Sequence, residues 1–187
     1  MIPTLYDTFK HWSATGSVYI VSDTHFDDPD CQLMDPNWIA PEEHIAIIKK
    51  KAHKPDTLIH LGDVGDPSYL DALKCHKVLI MGNHDQSRTK FENHFDEIYE
   101  GALFISPKLL LSHEPVFGLN WCMNIHGHDH SGNTPDDGRH VNLAANVYGY
   151  DKVFDLGREI KRGLLSGIPD MHRETIDRAT ERKRGRG

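Results

Sequence analysis

Residues 1–170 predict an α/β domain made of two packed, mixed β-sheets flanked by helices. Three observations carry that expectation. Short apolar runs rich in β-branched residues (18–21, 58–61 and 78–81) alternate with helical segments, as parallel strands with crossover helices require. The second half of the chain exchanges helices for closely spaced strands and turns. Five expected strands run directly into residues with metal-binding or proton-transfer chemistry, and the carboxyl ends of strands are where α/β sheets place ligands.

The elements follow in order. Residues 1–16 can form a short helix docked on the body. The run 18–21 reads as a buried strand, and residues 23–40 as a long loop of the kind that often carries function. Residues 41–51 begin with proline and two acids and end in three lysines, the charge order a helix dipole favours. A second strand covers 58–61, a shorter helix 67–74 and a third strand 78–81. The sequence then predicts one strand over 98–105, paired as a hairpin with 109–111 across Ser106-Pro107-Lys108. Strands at 121–125 and 139–143 and a closing helix at 155–163 complete the domain. Residues 171–187 read as a basic helix or tail with six basic and three acidic side chains, which leaves −10 on residues 1–170.

Composition narrows the function. A chain of 187 residues can bury a core without disulfides but is too short for a (β/α)8 barrel, which needs ~250 residues. The net charge of −7 gives no electrostatic reason to bind nucleic acid broadly. The three cysteines, Cys31, Cys75 and Cys122, form no CxxC pair, so neither a zinc ribbon nor a disulfide framework is expected. With no basic start followed by a long apolar run, and no apolar stretch near ~18 residues, a cytoplasmic protein with reduced thiols and no membrane contact is the expectation. Fourteen histidines raise the expectation of a metal site.

The chemistry lies at the strand ends. The first strand is followed by Asp23-Thr24-His25, the second by Gly62-Asp63-Val64-Gly65-Asp66, the third by Gly82-Asn83-His84-Asp85. Ser112-His113 follows 109–111, and His126-Gly127-His128-Asp129-His130 follows 121–125. Each piece alone is ordinary turn or capping chemistry; five in order, each after a strand, are a site. Mixed imidazole and carboxylate donors suit Zn, Mn or Fe better than Ca or Mg. Gly62, Gly82 and Gly127 each precede a candidate ligand, where close backbone approach is needed.

This ordered set, spanning residues 23–130, resembles the calcineurin-like metallophosphoesterases, most closely the small single-domain bacterial and phage type. The resemblance implies two divalent ions, manganese first and iron, zinc or nickel as alternatives. One would be held by Asp23, His25, Asp63 and His130, the other by Asp63, Asn83, His113 and His128, with Asp63 and a water bridging the pair. It also implies that His84 is the general acid and that Asp66 orients it. Pro67 stands where relatives acting on phosphoproteins carry arginine, which argues against a phosphoprotein substrate. The acidic loop, with Asp27, Asp28, Asp30 and Asp35, disfavours a long polyanion. A small phosphodiester is therefore the expected substrate, a nucleotide included. The alternatives are a nuclease or phosphomonoesterase of the same family, or a non-catalytic metal-binding interaction module. No protein partner is indicated. A metallo-β-lactamase pattern fails, because residues 130 and 131 would have to be Asp and His and are His130 and Ser131.

Overall fold

The computed structural model describes residues 6–184. The outermost parts of the two terminal expectations, residues 1–5 and 185–187, lie outside the described residues. Nine strands and six α-helices follow one another among the described residues. The strands are β1 (Val18–Val21), β2 (Thr57–His60), β3 (His76–Ile80), β4 (Glu97–Tyr99), β5 (Leu103–Ser106), β6 (Leu109–Leu111), β7 (Met123–His126), β8 (His140–Asn142) and β9 (Phe154–Asp155). The helices are α1 (Tyr6–Trp12), α2 (Cys31–Met34), α3 (Pro41–Lys49), α4 (Ala145–Tyr148), α5 (Leu156–Lys161) and α6 (Met171–Arg184).

The strands form the two mixed sheets expected. The first has the order β4-β3-β2-β1-β9; its first four strands are parallel and β9 closes the edge antiparallel to β1. The second has the order β5-β6-β7-β8, antiparallel between β5 and β6 and parallel beyond. Alternation along each strand explains the packing. Val18, Ile20, Ile59, Val78 and Ile80 face Leu103, Ile105, Leu109, Leu111, Met123 and Ile125 of the other sheet. Val21, Leu58 and Leu79 turn to the opposite face, under Ile45 and Ile48 of α3 and under Leu70. A sheet covered on both faces reads as continuous apolar runs, which is why β1 to β3 were legible.

Three expectations change. The loop expected over 23–40 contains the short helix α2. The single strand over 98–105 divides between the sheets. Ile98 packs in the outer-face cluster, whereas Leu103 and Ile105 belong to the inter-sheet core. The chain changes sheets at 100–102, where Gly101 stands in open space. The helix expected at 67–74 is a 3-10 helix, Pro67–Ala72, capped by the Asp66 side chain. Its larger rise of ~2.0 Å per residue spans the gap to β3 with few residues.

Two buried histidines sit in this core without charge. His44 of α3 is 5% exposed, its Nδ1 has no hydrogen-bond partner among the described residues, and burial pushes its pKa down to about 4. His60 is fully buried, and burial outweighs the nearby Asp23 and Asp63 charges to hold it at about 3. Both values lie below the unfolded imidazole near 6.5, so the unfolded chain binds protons that the folded chain refuses. Stability is therefore present above pH ~6.5 and falls as the pH drops toward 4. His44→Gln should reduce the loss of unfolding free energy between pH 7 and pH 5 by about 2 kcal/mol relative to wild type, read by denaturant titration. An unchanged slope would mean that His44 is not held neutral.

Candidate metal centre

The loops after β1, β2, β3, β6 and β7 converge at one edge of the two sheets. The first two are zipped together by backbone hydrogen bonds. Asp23 N–H donates to Gly62 O (3.0 Å), His25 N–H to Asp63 O (3.0 Å) and Phe26 N–H to Val64 O (2.8 Å). His60 locks this pair from beneath: its Nδ1 accepts from Gly62 N–H (3.2 Å), its Nε2 bonds the Thr24 hydroxyl (2.9 Å), and that hydroxyl donates to Val64 O (3.0 Å).

Backbone strain concentrates here. Five non-glycine residues have left-handed φ, namely Asp23, His25, Asp27, Asp63 and His128, with φ between 41° and 64°. Such residues persist only where their surroundings over-determine them, and they cluster at functional sites. Four of the five are candidate ligands. The close approach that follows demands glycine at two neighbours. A Cβ on Gly82 would overlap Asp63 Oδ1, and one on Gly127 would overlap Ser22 Oγ and Asp23 Oδ2.

The side chains gather in two groups. Asp23, His25 and His130 bring one donor atom each within 4.8 Å of one another, and so do Asp63, His113 and His128. Asn83 joins the second group, with Oδ1 2.8 Å from His113 Nε2 and 2.9 Å from His128 Nδ1. Asp63 Oδ2 stands between the groups, 3.3 Å from His113 Nε2 and 3.7 Å from His25 Nε2. A third group, His25, Asp28 and Cys31, adjoins the first.

The donors fit a cation. His113 Nδ1 donates to Leu61 O (2.8 Å), so an unprotonated Nε2 would set its lone pair against the Asn83 and Asp63 oxygens. Acceptors facing acceptors require positive charge at their centre. In the first group His25 Nε2 and His130 Nε2 are buried without hydrogen-bond partners, beside the carboxylates of Asp63 and Asp23. Protons on the imidazoles can supply the same positive charge. Burial raises the Asp63 pKa, but the hydrogen bond and charge of His113 prevail and hold it at about 2. His113 and His130 move up despite burial, because each faces a carboxylate.

His84 lies at the exposed mouth, its N–H donating to Asp63 Oδ1 (2.9 Å) and its ring 5.4 Å from that of His25. The expected pairing of Asp66 with His84 is not made. Asp66 Oδ1 instead accepts from Ser68 N–H (2.9 Å) and caps the 3-10 helix, because an Asp two residues before a free N–H satisfies it locally.

Sequence reasoning missed three residues. Asp85, buried, accepts from Gly82 N–H (2.9 Å), Asp63 N–H (2.9 Å) and Val64 N–H (3.1 Å), tying the third loop to the second. Its place closing Gly82-Asn83-His84-Asp85 was the available signal. Asn146 of α4 accepts from His130 Nδ1 (2.8 Å) and returns its amide to His130 O (2.8 Å), with no signal in its surroundings. Trp38 puts its ring 5.8 Å from both His25 and His130 and walls the first group from solvent.

With this geometry in hand, the comparisons identify the class. A family model described as calcineurin-like phosphoesterase matches residues 16–162, and the chain belongs to that family. It is thus a metal-dependent phosphoester hydrolase in the general sense of that family. The solved structure of a protein of unknown function, AQ665 from Aquifex aeolicus, is similar at 28% identity and TM-score 0.60, covering 78% of this chain and 98% of the other. No curated protein matches. No helix among the described residues is long and apolar enough to cross a membrane.

Removing one oxygen acceptor at Asp85 should leave a buried N–H without a partner. Asp85→Asn is expected to cost about 1–3 kcal/mol of stability, measured by denaturant unfolding of metal-free protein. A loss below ~0.5 kcal/mol would show that the three loops hold their positions without it.

Proposed function

We propose that the protein hydrolyses a small phosphodiester with two divalent ions, manganese being the expected metal. The observation that carries this reading is Asp63 Oδ2, which faces one imidazole from each ligand group. Asp23, His25, Asp63 and His130 would hold one ion, and Asp63, Asn83, His113 and His128 the other. When bound, the two ions supply Lewis acidity and positive charge to the phosphate and to water.

The remaining work falls to the chain's own groups. Leu61 O and Asn146 Oδ1 take the outer N–H of His113 and His130, which keeps each Nε2 lone pair pointed inward. Trp38 excludes water from one flank. His84, pinned through its backbone to Asp63 yet exposed in its ring, is placed to donate a proton to the departing oxygen. Asp66 is left out of this scheme, since its carboxylate caps a helix instead.

Two measurements test the reading. Asn146→Ala should weaken one of the two metal affinities roughly 10–100-fold and spare the other, as seen by calorimetric titration with Mn²⁺. Equal weakening of both, or of neither, would place Asn146 outside the ligand support. His84→Ala should keep both ions and lower turnover by about 10²–10⁴ for alkyl phosphodiesters, with a smaller loss for p-nitrophenyl esters, whose leaving group needs no proton. The same factor for both leaving groups would remove His84 as the acid.

A further inference from the structure

Three openings surround the ligand groups, and their chemistry differs. One, of about 310 Å3, runs under the loop 26–40 and is edged by the carboxylates of Asp27 and Asp28. A second, of about 280 Å3, is edged by Gly82, Ala102 and Glu114. The third, of about 430 Å3, lies between Phe117 and the pair His128 and His130.

Phe117 is 59% exposed, a large apolar surface left in water beside the candidate ligands. It is nevertheless firmly mounted. Val116 N–H donates to Oδ1 of the buried Asn124 (2.8 Å), and Val116 O accepts from His140 Nε2 (3.3 Å). The Phe117 ring leans on the His140 ring, with centroids 5.1 Å apart. An aromatic face already fixed loses little freedom when a flat ring stacks on it.

The facing rim is the turn 129–134. The Asp129 carboxylate there accepts from the N–H and hydroxyl of both Ser131 and Thr134, so its charge is engaged within the turn. Asn133 gives its amide N–H to Ser131 Oγ (2.8 Å), and its Oδ1 has no partner among the described residues. The cleft therefore offers a stacking face, a free acceptor at its edge and, at its inner end, two histidines of the ligand groups.

We propose that this cleft is a nucleobase subsite. The substrate would be a phosphodiester of mononucleotide size, with its phosphate at His128 and His130, its base on Phe117 and an exocyclic amine of the base toward Asn133. Its volume lies within the usual range of small-ligand sites. The acidic opening is the poorer place for a base flanked by phosphate. This inference rests on the phosphodiesterase reading and extends it to the substrate.

The test compares two substrates on Mn²⁺-loaded protein: the methyl ester of adenosine 5′-monophosphate and the methyl ester of glycerol phosphate. Phe117→Ala should lower the ratio of their kcat/KM values, nucleoside over glycerol, roughly 5- to 150-fold, mainly through KM. Phe117→Tyr should restore the ratio. Equilibrium binding of adenosine 5′-monophosphate should weaken by the same factor in Phe117→Ala and recover in Phe117→Tyr. A ratio unchanged within twofold, or binding indifferent to Phe117, overturns the subsite. If neither ester is cleaved by wild type while nucleotide binding still depends on Phe117, the phosphodiesterase reading falls and the subsite stands.

Discussion

Buried carboxylates hold this site together before any cation is considered. Asp23 accepts from His128 N–H, Asp63 from His84 N–H, and Asp85 from three N–H groups on two loops. The loops after β2, β3 and β7 are each fastened in this way by a side chain from another. Without these bonds N–H groups at Asp63 and His128 would lose their partners, and the left-handed backbone there would lose part of what sustains it. Asp23 and Asp63 therefore have two tasks, since the same carboxylates that pin neighbouring loops also face the histidine lone pairs.

The two sheets are the frame that makes this possible. Parallel β1, β2 and β3 deliver three loops to one edge, and β6 and β7 of the second sheet deliver two more. The inter-sheet core fixes the distance between the two sets. Asp23 from the first sheet meets His128 from the second across 105 residues of chain, at 3.0 Å. A frame packed on both faces of one sheet leaves little room for these ends to drift.

The site is asymmetric in its surroundings, and that asymmetry bears on substrate. The loop 26–40 covers the first group with Trp38 and presents acids. The opposite side is open, presents Phe117, and has its Asp129 charge satisfied internally. A phosphate ester can enter against the open side with less repulsion than along the acidic one.

The order of the candidate ligands was legible from the sequence because it depends on local rules. A strand that alternates within a two-faced core announces its own end, and Asp, His and Asn after glycine announce what stands there. The sequence by itself therefore determined the two-sheet architecture and the edge at which the candidate residues gather. Only the tertiary structure decided how those residues are used. It turned Asp66 toward Ser68 and away from His84, split 98–105 between two sheets, and brought Asp85, Asn146, Trp38 and Phe117 into play. Those outcomes hang on which donor meets which acceptor across long stretches of chain. Such choices are set by the packing of the sheets, not by the spacing of residues along either one.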